Sequence, residues 1–425
     1  MTRPTPLQRD QHSSRIGFAE FVMLCAALMA TNALSIDPML PALPAIGRDL
    51  SIAQPNDRQL IISLYFVGLS AGSLLFGILS DRFGRKSVMG VTLALFVLST
   101  IACALSRSFA MLLVARACAG FFAGGGRVIT IGIIRDRFHG DAMARVMSLI
   151  FTVFIIIPVL APSFGQMILW LAPWRWIFWA LAILGAAITL WMLARMPETL
   201  HPENRLPIAP RAIAASIRAV VAHRSAIGYM LASGVVMSGL IGFIVSVQQI
   251  FFDSFDAADI FPLAFAMIAG CMGVGSLVNS RLVQRFGARR MSQSALIALI
   301  AINLVHGLVV LAGWEVMASF ILFQSLTMLS VAFTASNFSA ISMEPFAKGA
   351  GVASSFQAFL TTMISVMLGG AIGHAFDGTT LPLTLGIFLC GVIALMLVLW
   401  AERGRLFTRP GLAAQRDRVS ESVTR

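Results

Sequence analysis

Three charged residues stand well inside runs that are otherwise apolar, whereas Glu20, near the start of the run 18–40, reads as an interfacial residue. Arg116 and Arg127 lie in the run 109–133, and Asp37 lies in the run 18–40. A charge at the centre of a membrane helix costs roughly 2.5–3.5 kcal/mol on insertion scales, so each needs a partner or a task. A carboxyl group held among apolar neighbours is suited to taking up and releasing a proton, and Asp37 is the acidic residue expected in the outer half of the first six runs. It is therefore the leading proton carrier. Against that reading, Pro38, Pro41 and Pro44 follow it, which predicts that the helix frays there and leaves the carboxylate in water. Arg116 and Arg127 are eleven residues apart, so a helix would set them about 16 Å apart along its axis on a similar face. Arg116 has a structural reading as a donor to backbone carbonyls, and Arg127 is read either as a cavity residue or as a clamp at the inner end.

Other chemistries lack their residues. The two lysines, Lys86 and Lys348, follow Arg85 and Ala347, so no Gly-Lys-Ser/Thr step exists to cradle a nucleotide phosphate. Gly68-Leu69-Ser70-Ala71-Gly72 has the spacing of a hydrolase elbow but sits in an uninterrupted helical run instead of a strand-to-helix turn, so it reads as a small-residue packing stripe, like Gly369-xxx-Gly373. Cys25, Cys103, Cys118, Cys271 and Cys390 are odd in number and lie in apolar segments without a CxxC pair, which makes them small apolar side chains. His306 and His374 read as single and unpaired, so no metal site is expected. An enzyme is not the reading.

The elements that must position these residues are membrane helices. The chain of 425 residues is 58% hydrophobic and 12% charged, about half the charged fraction of soluble domains. Its mean hydropathy is +0.86. Helix-length apolar runs occur at 18–40, 60–79, 88–105, 109–133, 146–171 and 177–194, and again at 227–251, 260–283, 292–312, 316–342, 350–376 and 381–400. The expected fold is an all-α integral membrane protein with twelve transmembrane helices in two pseudo-symmetric six-helix bundles. The divisions are a tail 1–17, a first bundle 18–194, a Pro-rich linker 195–225 with a basic surface helix, a second bundle 226–402 and a polar tail 403–425. The first run reads as a retained helix and not a cleaved signal, because it is long and lacks a small-x-small site.

Net charge +12 raises nucleic acid as a partner, but the charges alternate loop by loop. With the N-terminus inside, 25 of the 31 Lys and Arg fall in inside loops, against Arg48, Arg58, Arg107 and Arg175 outside. Both termini are expected in the cytoplasm, with the chain multi-pass in its membrane.

The turn GILSDRFGRK at 77–86 returns as SRLVQRFGAR at 280–289. A repeat this far apart marks two related halves. The turn reads as a gate: Asp81 is expected to pair with the N-terminus of a helix in the other half and with basic groups near Arg135, while the arginines also set topology.

Gly77, Leu79, Asp81, Arg82, Gly84, Arg85 and Lys86 fill the pattern G-x-L-x-D-R-x-G-R-K, and Arg116 is followed by Gly120 and Gly124. With the Pro197-Glu198-Thr199 close of the sixth run, the chain resembles the major facilitator superfamily over nearly its whole length. Asp37-Pro38-Met39-Leu40-Pro41, Gly126-Arg127-Val128-Ile129 with Arg135-Asp136, Ala161-Pro162-x-x-Gly165 and Trp174-Arg175-Trp176 resemble its bicyclomycin and chloramphenicol resistance (Bcr/CflA) branch of drug:proton antiporters. Met39 stands where that branch usually has an aromatic residue.

The resemblance implies that Arg116 shares proton and substrate coupling with Asp37 by competing for the proton of a carboxylate. It also makes Pro158, Pro162 and Gly165 the antiporter kink of the fifth helix, for which simple packing is the alternative. Substrate-facing candidates are Asn32, Tyr65, Arg127, Gln248 and Gln357, with Ser35, Gln249, Asn303, Gln324 and Asn337 behind them. The expected function is proton-driven export of small amphipathic molecules by alternating access. The expected partners are substrate, protons and lipid, with no cofactor, nucleotide or nucleic acid, and the expected state is a monomer. A proton symporter importing a metabolite and a non-transporting membrane sensor are the alternatives.

Overall fold

The computed structural model describes residues 16–138, 140–205, 210–346 and 350–407. The described chain is helical throughout. It runs through α1 (Phe18–Leu34), α2 (Leu43–Asp49), α3 (Leu60–Phe83), α4 (Arg85–Ala104), α5 (Phe109–Arg137), α6 (Gly140–Leu171), α7 (Arg175–Arg195) and α8 (Pro210–Ala222). It continues through α9 (Arg224–Gln249), α10 (Phe261–Phe286), α11 (Ala288–Leu311), α12 (Met317–Met343), α13 (Ala350–His374) and α14 (Leu381–Ala401). Among the described residues, 11 helical stretches are long and apolar enough to cross a membrane. The remaining predicted span is α6, a helix of 32 residues whose described apolar part is Val159–Leu171. A bilayer core offers backbone groups no water, so a helix that satisfies its own N–H and C=O groups is the expected element.

The chain forms two compact units, Met1–Ala214 with Ala257–Ala266, and Ala215–Asp256 with Met267–Arg425. In unit one, α5 packs against α3 and α4, α4 against α7, and α1 against α6. Small residues set the closest of these contacts: a side chain at Gly68, Gly72 or Gly120 would run into the backbone of Ala117, Phe121 or Tyr65. The packing-stripe reading of Gly68 to Gly72 is thus how α3 is used, with Ser70 buried in it. A core cluster joins Phe21, Leu24 and Leu28 of α1 to Ile129 and Ile133 of α5 and Met192 of α7. In unit two, α9 packs against α12, α13 and α14, and α11 against α12 and α14.

The first apolar run breaks where its prolines predict. After α1 the chain turns through the 3₁₀ segment Asp37–Ala42 before α2. The prolines do not, however, deliver Asp37 to water: the whole segment is buried, and it packs on α6. The contact is made at Gly165, where a Cβ would collide with the carbonyl of Pro38. α6 stays helical through Pro162 and through the backbone of Pro158, whose side chain lies outside the described residues.

Candidate functional site

Arg116 on α5 is 2% exposed and has no carboxylate partner. Its Nη1 donates to the carbonyl of Ser35 at 3.0 Å and its Nε to the carbonyl of Ile61 at 3.2 Å. Ser35 caps the C-terminus of α1, where carbonyls lack helical donors and the helix dipole favours a cation. The guanidinium also lies over the Tyr65 ring, 4.3 Å from Cζ to centroid, and Phe178 stands at 5.9 Å. Among the described residues Nη2 has no hydrogen-bond partner. Tyr65 donates its hydroxyl to Asn32 Oδ1 at 3.3 Å, so Asn32, Tyr65 and Arg116 form one connected group.

Asp37 is 5% exposed, and among the described residues no hydrogen bond or ion pair engages its carboxyl. The expected direct competition between Arg116 and Asp37 is therefore absent from this geometry. The guanidinium ends on the backbone two residues before the acid, because the carbonyls at the end of α1 point to it and the carboxyl follows the break. Arg127 is accessible on α5 and is paired with no carboxylate among the described residues. Chemically the region offers a lone carboxyl in a buried segment and, on the backbone two residues before it, a carbonyl held by a fixed positive charge that has one spare donor nitrogen among the described residues. No nucleophile with an adjacent base accompanies them among the described residues, and no group of His, Cys, Asp and Glu able to hold a metal occurs there.

The charged turn is a second cluster. Gly84 joins α3 to α4 with φ 101° and ψ 146°, a conformation that a Cβ disfavours strongly. Arg85 then folds back onto Asp81 at 2.5 Å, the Ser80 hydroxyl at 2.7 Å and Asp136 at 3.1 Å. It lies across Gly132, where a Cβ would stand 2.8 Å from its Cζ. Glu198 accepts from the amides of Arg85 and Lys86 at 2.9 and 3.2 Å, which places an anion on the N-terminus of α4. Asp81 is thus held by Arg85 of its own turn, and Asp136, not exposed Arg135, closes the cluster; Arg82 is exposed. The turn decides this, since Gly84 ends α3 and sets Arg85, the first residue of α4, within reach of Asp81.

Unit two repeats the turn with different partners. Gly287 has φ 84°. Ala288 stands in the place of Arg85, and Arg289, one residue on, pairs with Glu402 at 2.8 Å and Glu344 at 2.9 Å. Tyr229 donates to the same Glu402 oxygen at 2.8 Å. Arg289 thus takes the Glu344 carboxylate, and Lys348, a basic residue close to Glu344 in the sequence, lies outside the described residues. The sequence signal for this cluster is visible afterwards: Glu344 and Glu402 follow apolar runs as Asp136 and Glu198 do. Glu20, expected at the interface, is held by Arg195 at 2.7 Å and Trp191 at 3.2 Å.

The substrate candidates of unit two are dispersed. Gln357 donates to Ser339 at 2.9 Å, whereas both amide atoms of Gln248 and of Gln324 are buried without partners. Asn303 donates to Thr327 at 3.1 Å and Asn337 to Asn279 at 2.8 Å. His306, read as unpaired, has a partner: its Nε2 is 2.7 Å from Oε1 of Glu315.

Comparison with known proteins places this architecture. The model of the Major Facilitator Superfamily matches residues 22–373. The bicyclomycin resistance protein homolog of Haemophilus influenzae is 26% identical over 385 residues, covering 88% of this chain and 94% of the relative. The multidrug resistance protein MdtL of Escherichia coli is 34% identical over 181 residues, 43% of this chain and 46% of MdtL. Among solved structures, a D-xylose-proton symporter aligns with a TM-score of 0.71 at 13% identity, covering 91% of this chain and 99% of that one, which is a likeness of fold.

Proposed function

The chain belongs to the Major Facilitator Superfamily, and on that premise we propose that it is a proton-coupled antiporter exporting small amphipathic, drug-like molecules. It is a multi-pass membrane transporter and not an enzyme. The finer reading has it monomeric in a bacterial inner membrane with both termini cytoplasmic, driven by the proton gradient through alternating access.

One observation carries the reading. Asp37 is a buried residue at the break between α1 and α2 whose carboxyl has no partner among the described residues, which suits a group that must load and unload a proton. Arg116 supports it by holding the end of α1 while keeping Nη2 free of protein partners. The names of the bacterial relatives, a bicyclomycin resistance protein homolog and a multidrug resistance protein, favour drug export over nutrient import. Coupling then runs through the segment 35–37: movement of Arg116 toward an arriving substrate releases the Ser35 carbonyl and shifts the acid that follows it. The turn clusters around Arg85 and Arg289 act as latches, and Arg127, Asn32, Tyr65, Gln248 and Gln357 are the side chains offered to substrate.

Everted vesicles from a pump-deleted bacterium test this. With an inward-acidic gradient imposed, compounds from a drug panel should dissipate it through the wild-type chain and fail to do so through Asp37→Asn. A panel without any active compound, or full exchange by the Asn variant, would overturn the proposal. Accumulation of a compound by right-side-out cells would replace export with import.

A further inference from the structure

Unit two holds a closed polar cluster at the end where α11 finishes and α12 and α14 begin. The side chain of His306 on α11 is 0% exposed and that of Glu315, just before α12, is 13% exposed. Nε2 of His306 lies 2.7 Å from Oε1 of Glu315. Thr380, which caps α14, donates its hydroxyl to the other carboxyl oxygen at 2.5 Å. One turn on, Thr384 Oγ1 is 3.4 Å from Nδ1 of His306 and 3.0 Å from the carbonyl of Thr380. Phe323 stacks on the imidazole at 4.7 Å and 13°, so the ring cannot turn to change partners without leaving its stack.

The donor pattern bears on the proton count. The Thr384 hydroxyl owns one proton, and the shorter of its two contacts is to the Thr380 carbonyl, which only accepts. Toward the ring the Thr384 oxygen is then the acceptor, and Nδ1 carries a hydrogen. Nε2 is left facing a carboxyl oxygen at 2.7 Å, a distance two lone pairs do not keep unless a proton lies between them. We infer that His306 and Glu315 form a proton-binding site of unit two, whose single shared proton ties the end of α11 to the starts of α12 and α14.

The helices packed on the site bring no other charge to it. α12 (Met317–Met343) and α14 (Leu381–Ala401), the helices packed on α11, contain no Asp, Glu, Lys, Arg or His. On α11 itself the remaining charges, Arg289 and Arg290, are at the opposite end. At the same end stand Asp253, His374 and Asp377, of which Asp377 accepts from the amide and hydroxyl of Thr379. Loss of the shared proton leaves an imidazole lone pair against a carboxylate, and the tie opens. This site is distinct from Asp37, which belongs to unit one.

The full chain in lipid nanodiscs, labelled with ¹⁵N-histidine, tests the assignment. The His306 signal is identified by its absence in His306→Gln, and at neutral pH its Nδ1 should be protonated. Hydrogen-exchange protection of amides 306–317 and 380–386, corrected for the intrinsic rate, should fall about tenfold or more as the buffer is taken from acid to alkaline. In Glu315→Gln the amide N–H donates to Nε2 without any added proton, so protection should stay flat over that range. An Nδ1 without hydrogen, flat protection in the wild type, or the same fall in Glu315→Gln would each overturn the inference. The wild-type spectrum and exchange profile decide it alone if the variant does not fold.

Discussion

Arg116 donates to the Ser35 carbonyl at 3.0 Å, so the buried guanidinium is tied to the backbone two residues before Asp37 and, among the described residues, forms no ion pair with its carboxyl. The same side chain reaches the Ile61 carbonyl at 3.2 Å and thereby ties the end of α1 to the start of α3. A substitution at Arg116 moves the acid as well as removing a charge.

Arg116→Ala should abolish proton-coupled exchange and lower stability by about 1–3 kcal/mol, the cost of leaving buried carbonyls unpaired. Arg116→Lys keeps the charge but replaces a planar fork by a point donor that cannot serve both carbonyls. It should fold nearly as well as wild type while exchanging poorly. Vesicle gradient assays and thermal unfolding of the purified proteins separate the two effects; wild-type exchange by the Lys variant would show that the fork geometry is unimportant.

Gly165→Ala should loosen the packing of α6 on the 37–42 segment, because the added methyl meets the Pro38 carbonyl. Overpacking of this kind costs about 1–3 kcal/mol, and relief by backbone movement displaces Asp37 directly. Thermal unfolding should drop and exchange should fall with it. An unchanged melting temperature would show that α6 can draw away from the break at no cost.

Gly84→Ala and Gly287→Ala should each destabilise, by about 1–3 kcal/mol, because both glycines hold a positive φ in a region that other residues rarely enter. The first should be the worse of the two. Its Cβ would also sit 2.6 Å from Glu198 Oε2 and push that carboxylate off the N-terminus of α4. Equal melting temperatures for the two variants would remove Glu198 from the account.

Asp81→Lys should impair exchange far more than Gln284→Lys, since Asp81 pairs with Arg85 whereas Gln284 is exposed. Arg289→Ala should nevertheless be damaging, because it strips two carboxylates of their partner. The charged cluster of unit two was not anticipated from the imperfect second copy of the turn. Drug-dependent gradient collapse by these three variants gives the ranking, and an intact Arg289→Ala would confine the latch to unit one.

The sequence determined the solvent, the helices and the turns. Apolar runs of about 20 residues have to satisfy their own backbone in lipid, so composition and periodicity locate the helices without knowledge of their neighbours. The break at Asp37–Ala42 and the two glycine turns were legible for the same reason: proline and glycine act on their own backbone. The family, too, was written in local motifs at 77–86 and 116–124. Partner choice was not. Whether Arg116 meets a carboxylate or a carbonyl, whether Glu344 answers Lys348 or Arg289, and whether His306 is alone depend on which helix faces settle together. Contacts such as Arg289 to Glu402 or Gly165 to Pro38 join residues more than a hundred positions apart, and their geometry exists only after α6 has packed on the 37–42 segment and α11 on α14. Spacing along one helix is fixed by its rise and turn, while pairing between helices is fixed by packing, and that is where the tertiary structure decided.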